Sequence, residues 1–327
     1  MATHNTPFTP GEFRPDGALE HGLLEGNPAR GNRLVPVLLV AAITASGLSM
    51  LFSIGAAVAT AGGSGDQSTE TGHSTPDGVG SVSNAALGGH NASEYTLPVS
   101  LRAFSPYAEP GGHPDFERFA GAVRVGLVAD TLGPDGVPTL DSRHGAEIGR
   151  AFTDAAGRPI RPALFDPARS DRAGELNERY DPRVFSEDSF ASWFDGPVSG
   201  TRGLTLRYRE DLGCFVFDSD HQRGQIPEHP HTGVIRAELT AAQGLRIGLS
   251  SADDAWVFID GRLAIDLGST HTRLMQWIEL DRLGLTPGRT IPVDVFFAER
   301  RSGDQHFRLE TNARLRPAGQ THARGGN

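Results

Sequence analysis

From Tyr95 onward, the chain falls into short alternating or continuously apolar runs, separated by Gly, Pro, Asp and Asn. The runs are "LPVSLRAF", "AVRVGLVAD", "GLTLRYR", "CFVFD", "GVIRAELTA", "GLRIGLSS", "AWVFIDG", "RLAIDLG", "MQWIEL", "TIPVDVFFAE" and "HFRLETNARLR". A period of two puts successive side chains on opposite faces of a strand, so the pattern predicts an all-β domain with antiparallel pairing, built as a sandwich or a barrel. Two segments break the period, "PDFERFAG" near Asp115 and "SEDSFASWF" near Ser189, and each suits a helix of about two turns. Residues 131–182, punctuated by Asp-Pro, Gly-Arg-Pro and Pro-Asp-Gly, read as a loop-like insertion that covers the sheet or carries function.

The amino-terminal part has a different pattern. Residues 34–61, "LVPVLLVAAITASGLSMLFSIGAAVATA", carry no charge. As a helix they would rise ~42 Å against a hydrocarbon core of ~30 Å, so they predict a transmembrane helix with room for tilt. Arg30 and Arg33 precede the span and Asp66 and Glu70 follow it, which places the amino end in the cytoplasm and the remainder outside it. "AVATA" near Ala61 offers the rival reading of a cleaved signal peptide, but the apolar run exceeds the usual h-region and lacks a dense positive cluster before it. The expected organisation is a cytoplasmic tail at 1–33, the membrane helix at 34–61, a flexible Gly/Ser/Thr linker at 62–94, the β domain at 95–316 and a disordered tail at 317–327.

Composition narrows the partners. The 327 residues contain no lysine, and 30 arginines against 40 acidic residues leave a net charge of -10. Nucleic acid or an anionic lipid surface would be bound against repulsion, so the membrane enters only through the apolar helix. Cys214 is the one cysteine and makes no internal disulfide.

The stretches "LPVSLRAFSP…HPDFERF", "GLVADTLGPDGVPTL", "FASWF" and "ADDAWVFIDGRLAIDLGSTH…ELDRLGLTPGRTIPVDVFFAERRSGDQHFRLET" resemble the fibro-slime domain, an extracellular module of bacteria and slime moulds. The likeness runs from about Leu97 to about Thr311 and is strongest near its end. It implies a protective-antigen-like β-sandwich and an extracellular carbohydrate-binding or adhesive role, with no enzymatic label. The family usually reads Asp-Asp-Asp before the Val-Trp-Val-Phe strand, whereas here Ala252 takes the first position and Ala255 replaces Val. Asp253 and Asp254 match the calcium-binding pair of related yeast adhesin lectins.

Two readings of that pair stand side by side. Adjacent carboxylates at a strand end suit calcium, a hard ion with 6 to 8 oxygen ligands, and the ion would in turn coordinate vicinal sugar hydroxyls. The same residues also serve turns by accepting backbone N–H bonds. A tight turn at Asp260 and Gly261 brings Asp266 back beside Asp254–Trp256 as a third possible metal ligand, or as a loop cap, and places His271 near the same end. Trp193 beside Phe194 is the aromatic best suited to stack on a sugar, while Trp256 and Trp277 sit in apolar alternation and are expected in the core. His221, His229 and His231 lack the spacing of a zinc set. The "DTLGPDGVPTLD" stretch reads as a turn at Asp135 and Gly136 rather than as a calcium loop. Asp294 and Glu299 offer carboxylates for glycoside hydrolysis, but Glu299 with Arg300 reads better as a pair that buttresses a strand end.

The expected function is therefore a cell-surface carbohydrate-binding or adhesion module, calcium-assisted, with a glycan or polysaccharide as partner. An extracellular protein-interaction or matrix-scaffold module with structural aspartates is the alternative. A polysaccharide-acting enzyme is the third reading.

Overall fold

The computed structural model describes residues 93–319 except 120, 122, 142–144, 179–183 and 304. The predicted cytoplasmic tail, the membrane helix at 34–61 and nearly all of the linker lie outside the described residues. Among those described, no helix is long and apolar enough to cross a membrane.

The alternating runs each contain a strand. In chain order the strands are β1 (Glu94–Ala103), β2 (Arg124–Val125), β3 (Ala146–Arg150), β4 (Phe152–Thr153), β5 (Pro159–Ile160), β6 (Glu175–Glu178), β7 (Gly200–Arg209), β8 (Cys214–Asp218) and β9 (His231–Thr240). They continue with β10 (Arg246–Ser251), β11 (Asp254–Ile259), β12 (Arg262–Leu267), β13 (Leu274–Glu279), β14 (Thr290–Glu299), β15 (Phe307–Thr311) and β16 (Arg316–Pro317). The main sheet runs β12-β11-β14-β9-β1-β7-β8-β15-β10-β13-β5-β4, with β16 also beside β9. Its pairs are antiparallel except β13 with β5, so the sheet is mixed. The sheet curls until its β12 edge meets β13. There Asp266 N–H donates to Gln276 Oε1 and Gln276 Nε2 donates to the Asp266 carbonyl, both at 2.9 Å.

Strand parity then decides which side chains fill the interior. Val257 and Ile259 of β11, Val293, Val295 and Phe297 of β14 and Ile235 of β9 face Phe217, Ile247, Leu249 and Leu309 from the other side of the curl. Each fully buried side chain of this kind contributes about 1.5–3 kcal/mol relative to exposure. The opposite face of β11 is also covered: Trp256 and Phe258 pack with Phe296 under Phe116, Leu127, Phe190, Trp193 and Phe194. Burial on both faces explains why "AWVFI" is continuously apolar rather than alternating. Close packing leaves no room at Gly233, where an added Cβ would lie 2.1 Å from the Phe297 ring.

Part of the covering layer differs from expectation. Helix α1 (Glu187–Ala191) forms, with Ser186 and Ser189 completing a capping box, whereas residues 114–118 of "PDFERFAG" form turns. Residues 131–182 are not loop throughout, because β3 pairs with β2 and β6 in a small separate sheet. Strand β3 is poorly buried, unlike β2, so no apolar alternation marked β3 in the sequence. The predicted hairpin at Asp260–Gly261 forms with positive φ at both residues (52° and 73°), the signature of a type I′ turn. Arg316 and Pro317 pair with Glu238 and Ala237, so strand pairing extends to the first residue of the predicted tail.

Candidate functional site

Strands β8, β10, β12 and β14 all end, and β9, β11, β13 and β15 all begin, at one end of the curled sheet. Their connections bring together residues far apart in sequence, and Asp253 and Asp254 lie among them. Neither carboxylate faces solvent. Asp253 Oδ2 accepts the backbone N–H groups of Arg300 and Arg301 at 3.0 and 3.3 Å. Asp254 Oδ1 accepts the Ser269 N–H, and its Oδ2 lies 2.8 Å from Arg300 Nε. The Arg300 guanidinium is sealed as well, stacked 5.0 Å above the centre of the Trp193 ring. Burial pushes both aspartates above the usual carboxylate range, and Arg300 opposes that shift. The pair thus combines an aspartate turn with a buried cation supplied by the chain itself.

Asp266 is held differently. It stands opposite Trp256 in the hairpin, its Oδ1 accepting Trp256 Nε1–H at 3.1 Å and its Oδ2 accepting the Gly126 N–H at 2.7 Å. Burial pushes its carboxyl up to about 6, offset in part by Arg161, whose Nε lies 3.9 Å away. Asp253, Asp254 and Asp266 do not gather their oxygens into one metal-sized group among the described residues; Asp218, Asp220 and His306 do, within 4.8 Å. His271 is near Asp254, and its Nδ1 lies 2.6 Å from the Thr272 carbonyl oxygen.

Trp193 corrects the aromatic expectation. It is fully buried, its Nε1–H donating to Asp115 Oδ2 at 2.9 Å while its ring packs on Phe190, Phe116 and Trp256. Its place in the turn just after the capped helix α1 folds the ring inward. Trp256 is core as expected, but Trp277 is only half-buried, with the Arg158 guanidinium over its ring.

Beside the aspartate–arginine node opens a cleft of about 390 Å³, lined by Asp220, Gln222, Arg223, Glu228, Arg273, Gln305 and His306, with Glu299 in its wall. Asp218 is held below the usual carboxylate range: burial raises it, but the Asp220 N–H, His221 and Arg308 together outweigh that. Burial and Arg273 lower the His306 pKa, favouring the neutral imidazole. These residues escaped sequence reasoning. The one local signal was Asp-x-Asp closing "CFVFDSD", whereas His306 joins it only through the pairing of β15 with β8.

Other expectations are placed as follows. His231 is buried, pushed down to about 4 by desolvation, while the exposed His221 ring lies 3.1 Å from Asp218; with His229 they form no metal group among the described residues. Asp294 and Glu299 are five positions apart on β14, so they point to opposite faces. Asp294 pairs with Arg236 at 2.9 Å.

No family model matches the chain. Two Dictyostelium discoideum proteins are similar to it: Protein psiR, 48% identical over 207 residues (62% of this chain, 20% of that protein), and Protein psiE, 42% identical over 240 residues (66% and 43%). The chain therefore spans less than half the length of these relatives. Among solved structures, the PA14 domain of the MpAFP antifreeze protein aligns with 72% of this chain and 88% of its own at 9% identity and a TM-score of 0.22. An anti-sigma factor domain-containing protein aligns with 38% and 41% at 13% identity and a TM-score of 0.25.

Proposed function

We propose that the chain is a cell-surface carbohydrate-binding or adhesion module. In this reading it is a β-sandwich of the protective-antigen and fibro-slime type, carried outside the cytoplasm on an amino-terminal membrane span, and it takes a hydroxyl-rich ligand in the end cleft. The observation that carries the reading is the chemistry of that cleft. Pockets for apolar ligands are lined mainly by hydrophobic side chains, whereas this one presents two guanidiniums, two amides and several carboxylates. Bidentate groups of these kinds match neighbouring hydroxyls of a sugar ring.

Asp253 and Asp254 serve this module as a structural node beneath the cleft. Arg300 supplies the positive charge that calcium was expected to bring, so binding proceeds without calcium at the pair. Glycan binding by the full chain, compared with Arg273→Ala and with or without added calcium, tests the reading. A protein-interaction module is the second reading, and it rests on the exposed rings of Tyr107 and Phe185, which flank the Arg118 guanidinium at 5.6 and 5.2 Å.

A further inference from the structure

Asp218 closes β8, Asp220 follows in the turn, and His306 precedes β15. The fold holds them together: Arg308 stands opposite Asp218, the Ser219 N–H donates to the Phe307 carbonyl, and the Phe307 N–H donates to Ser219 Oγ. The residue before Phe307 is thereby fixed beside the Asp-x-Asp turn. One oxygen from each aspartate and one nitrogen of the histidine lie within 4.8 Å of one another.

The histidine gives the cluster its direction. His306 is 6% exposed, and its Nε2 lies 3.0 Å from Ser250 Oγ. Its Nδ1 is turned to the carboxylates, 3.3 Å from Asp220 Oδ2, with no well-aligned hydrogen bond to any described group. Metal-ligating histidines are oriented by a hydrogen bond at the second ring nitrogen, and the Ser250 hydroxyl supplies such a bond here while the other nitrogen faces acidic oxygens.

We propose that Asp218, Asp220 and His306 form a binding site for a divalent transition ion of the zinc class in the wall of the end cleft. A nitrogen with two carboxylates suits zinc, which takes four N, O or S ligands, better than calcium, which takes 6 to 8 oxygens. The Asp220 side chain is 34% exposed and lines the cleft, so a remaining coordination position opens onto it. The guanidiniums now beside the acids have other places to go. The Arg273 side chain is 46% exposed and turns to solvent when it leaves Asp220, and Arg308 keeps Glu310 when it yields Asp218. His221, its exposed ring 3.1 Å from Asp218 Oδ2, is a further nitrogen within reach.

The site does not depend on a glycan being the ligand of the cleft, because zinc alone reads it. The full chain, stripped of metal, is titrated calorimetrically with zinc chloride and separately with calcium chloride. The expected result is one saturable zinc per chain, weakened at least about tenfold in Asp220→Asn and His306→Gln and unchanged in His229→Gln. Calcium is expected to give no comparable saturation. Asp220→Asn alters a partly exposed side chain, so its fold is expected to persist, checked by an unchanged Tm. X-ray absorption of the zinc-loaded parent protein reads the ligands without any variant, and one or two imidazoles among oxygens are expected. Absence of saturable zinc, zinc binding untouched in both variants, preferential calcium binding, or a sulfur ligand would overturn the site.

Discussion

Arg300 Nε lies 2.8 Å from Asp254 Oδ2, with both side chains almost wholly removed from solvent. A buried ion pair broken on one side leaves an uncompensated charge, which costs about 3–5 kcal/mol. Arg300→Met is therefore expected to lose about that much stability in urea unfolding without added metal. Adding Asp253→Asn and Asp254→Asn is expected to recover most of the loss, because a fully replaced pair is often neutral. An Arg300→Met protein as stable as its parent would show that the aspartates have another counter-charge.

Trp193 gives a second prediction. Buried against Phe190, Phe116 and Trp256 and bonded to Asp115, it is a packing residue. Trp193→Ala is expected to cost about 3–5 kcal/mol, as large-to-small core changes do. A sugar-stacking residue on the surface would show no such cost, and the denaturant midpoint distinguishes the two.

Asp266 predicts a pH dependence. Burial holds its carboxyl at about 6 in the folded chain, against about 3.9 when unfolded. Between those values the folded state binds the extra proton, so its contribution is full below pH 4 and is lost as pH rises through 6. The change is on the order of 3 kcal/mol. Asp171, held low by its hydrogen bonds to Arg282, acts in the opposite sense and only as pH falls below the usual carboxylate range. Unfolding free energies measured from pH 4.5 to 6.5 are expected to fall with pH in the parent protein and to be flatter in Asp266→Asn. Equal slopes would contradict the assignment.

Much of the fold was legible because strand periodicity is local. The alternation in "GLRIGLSS" or "TIPVDVFFAE" needs no partner to be seen, and Asp260–Gly261 announces its own turn. The site was legible only in part. Asp253 and Asp254 stood out as adjacent charges, but their counter-ion, Arg300, comes from another strand end, and no spacing rule links the two. Trp193 follows a helix of only five residues, too short for its period to reveal which way the ring after it turns. The Asp218, Asp220 and His306 cluster is a product of strand register, which no single segment displays.

The proposed ligand occupies the end cleft. Arg273 and Gln305 line it, and neither belongs to the buried node. The most direct measurement is glycan-array binding by the full chain, followed by affinity for the best glycan in Arg273→Ala and Gln305→Ala. Saturable binding that weakens about tenfold or more in each variant, with Tm and the response to added calcium unchanged, is the predicted result. No glycan signal, or affinity that neither substitution alters, would contradict it.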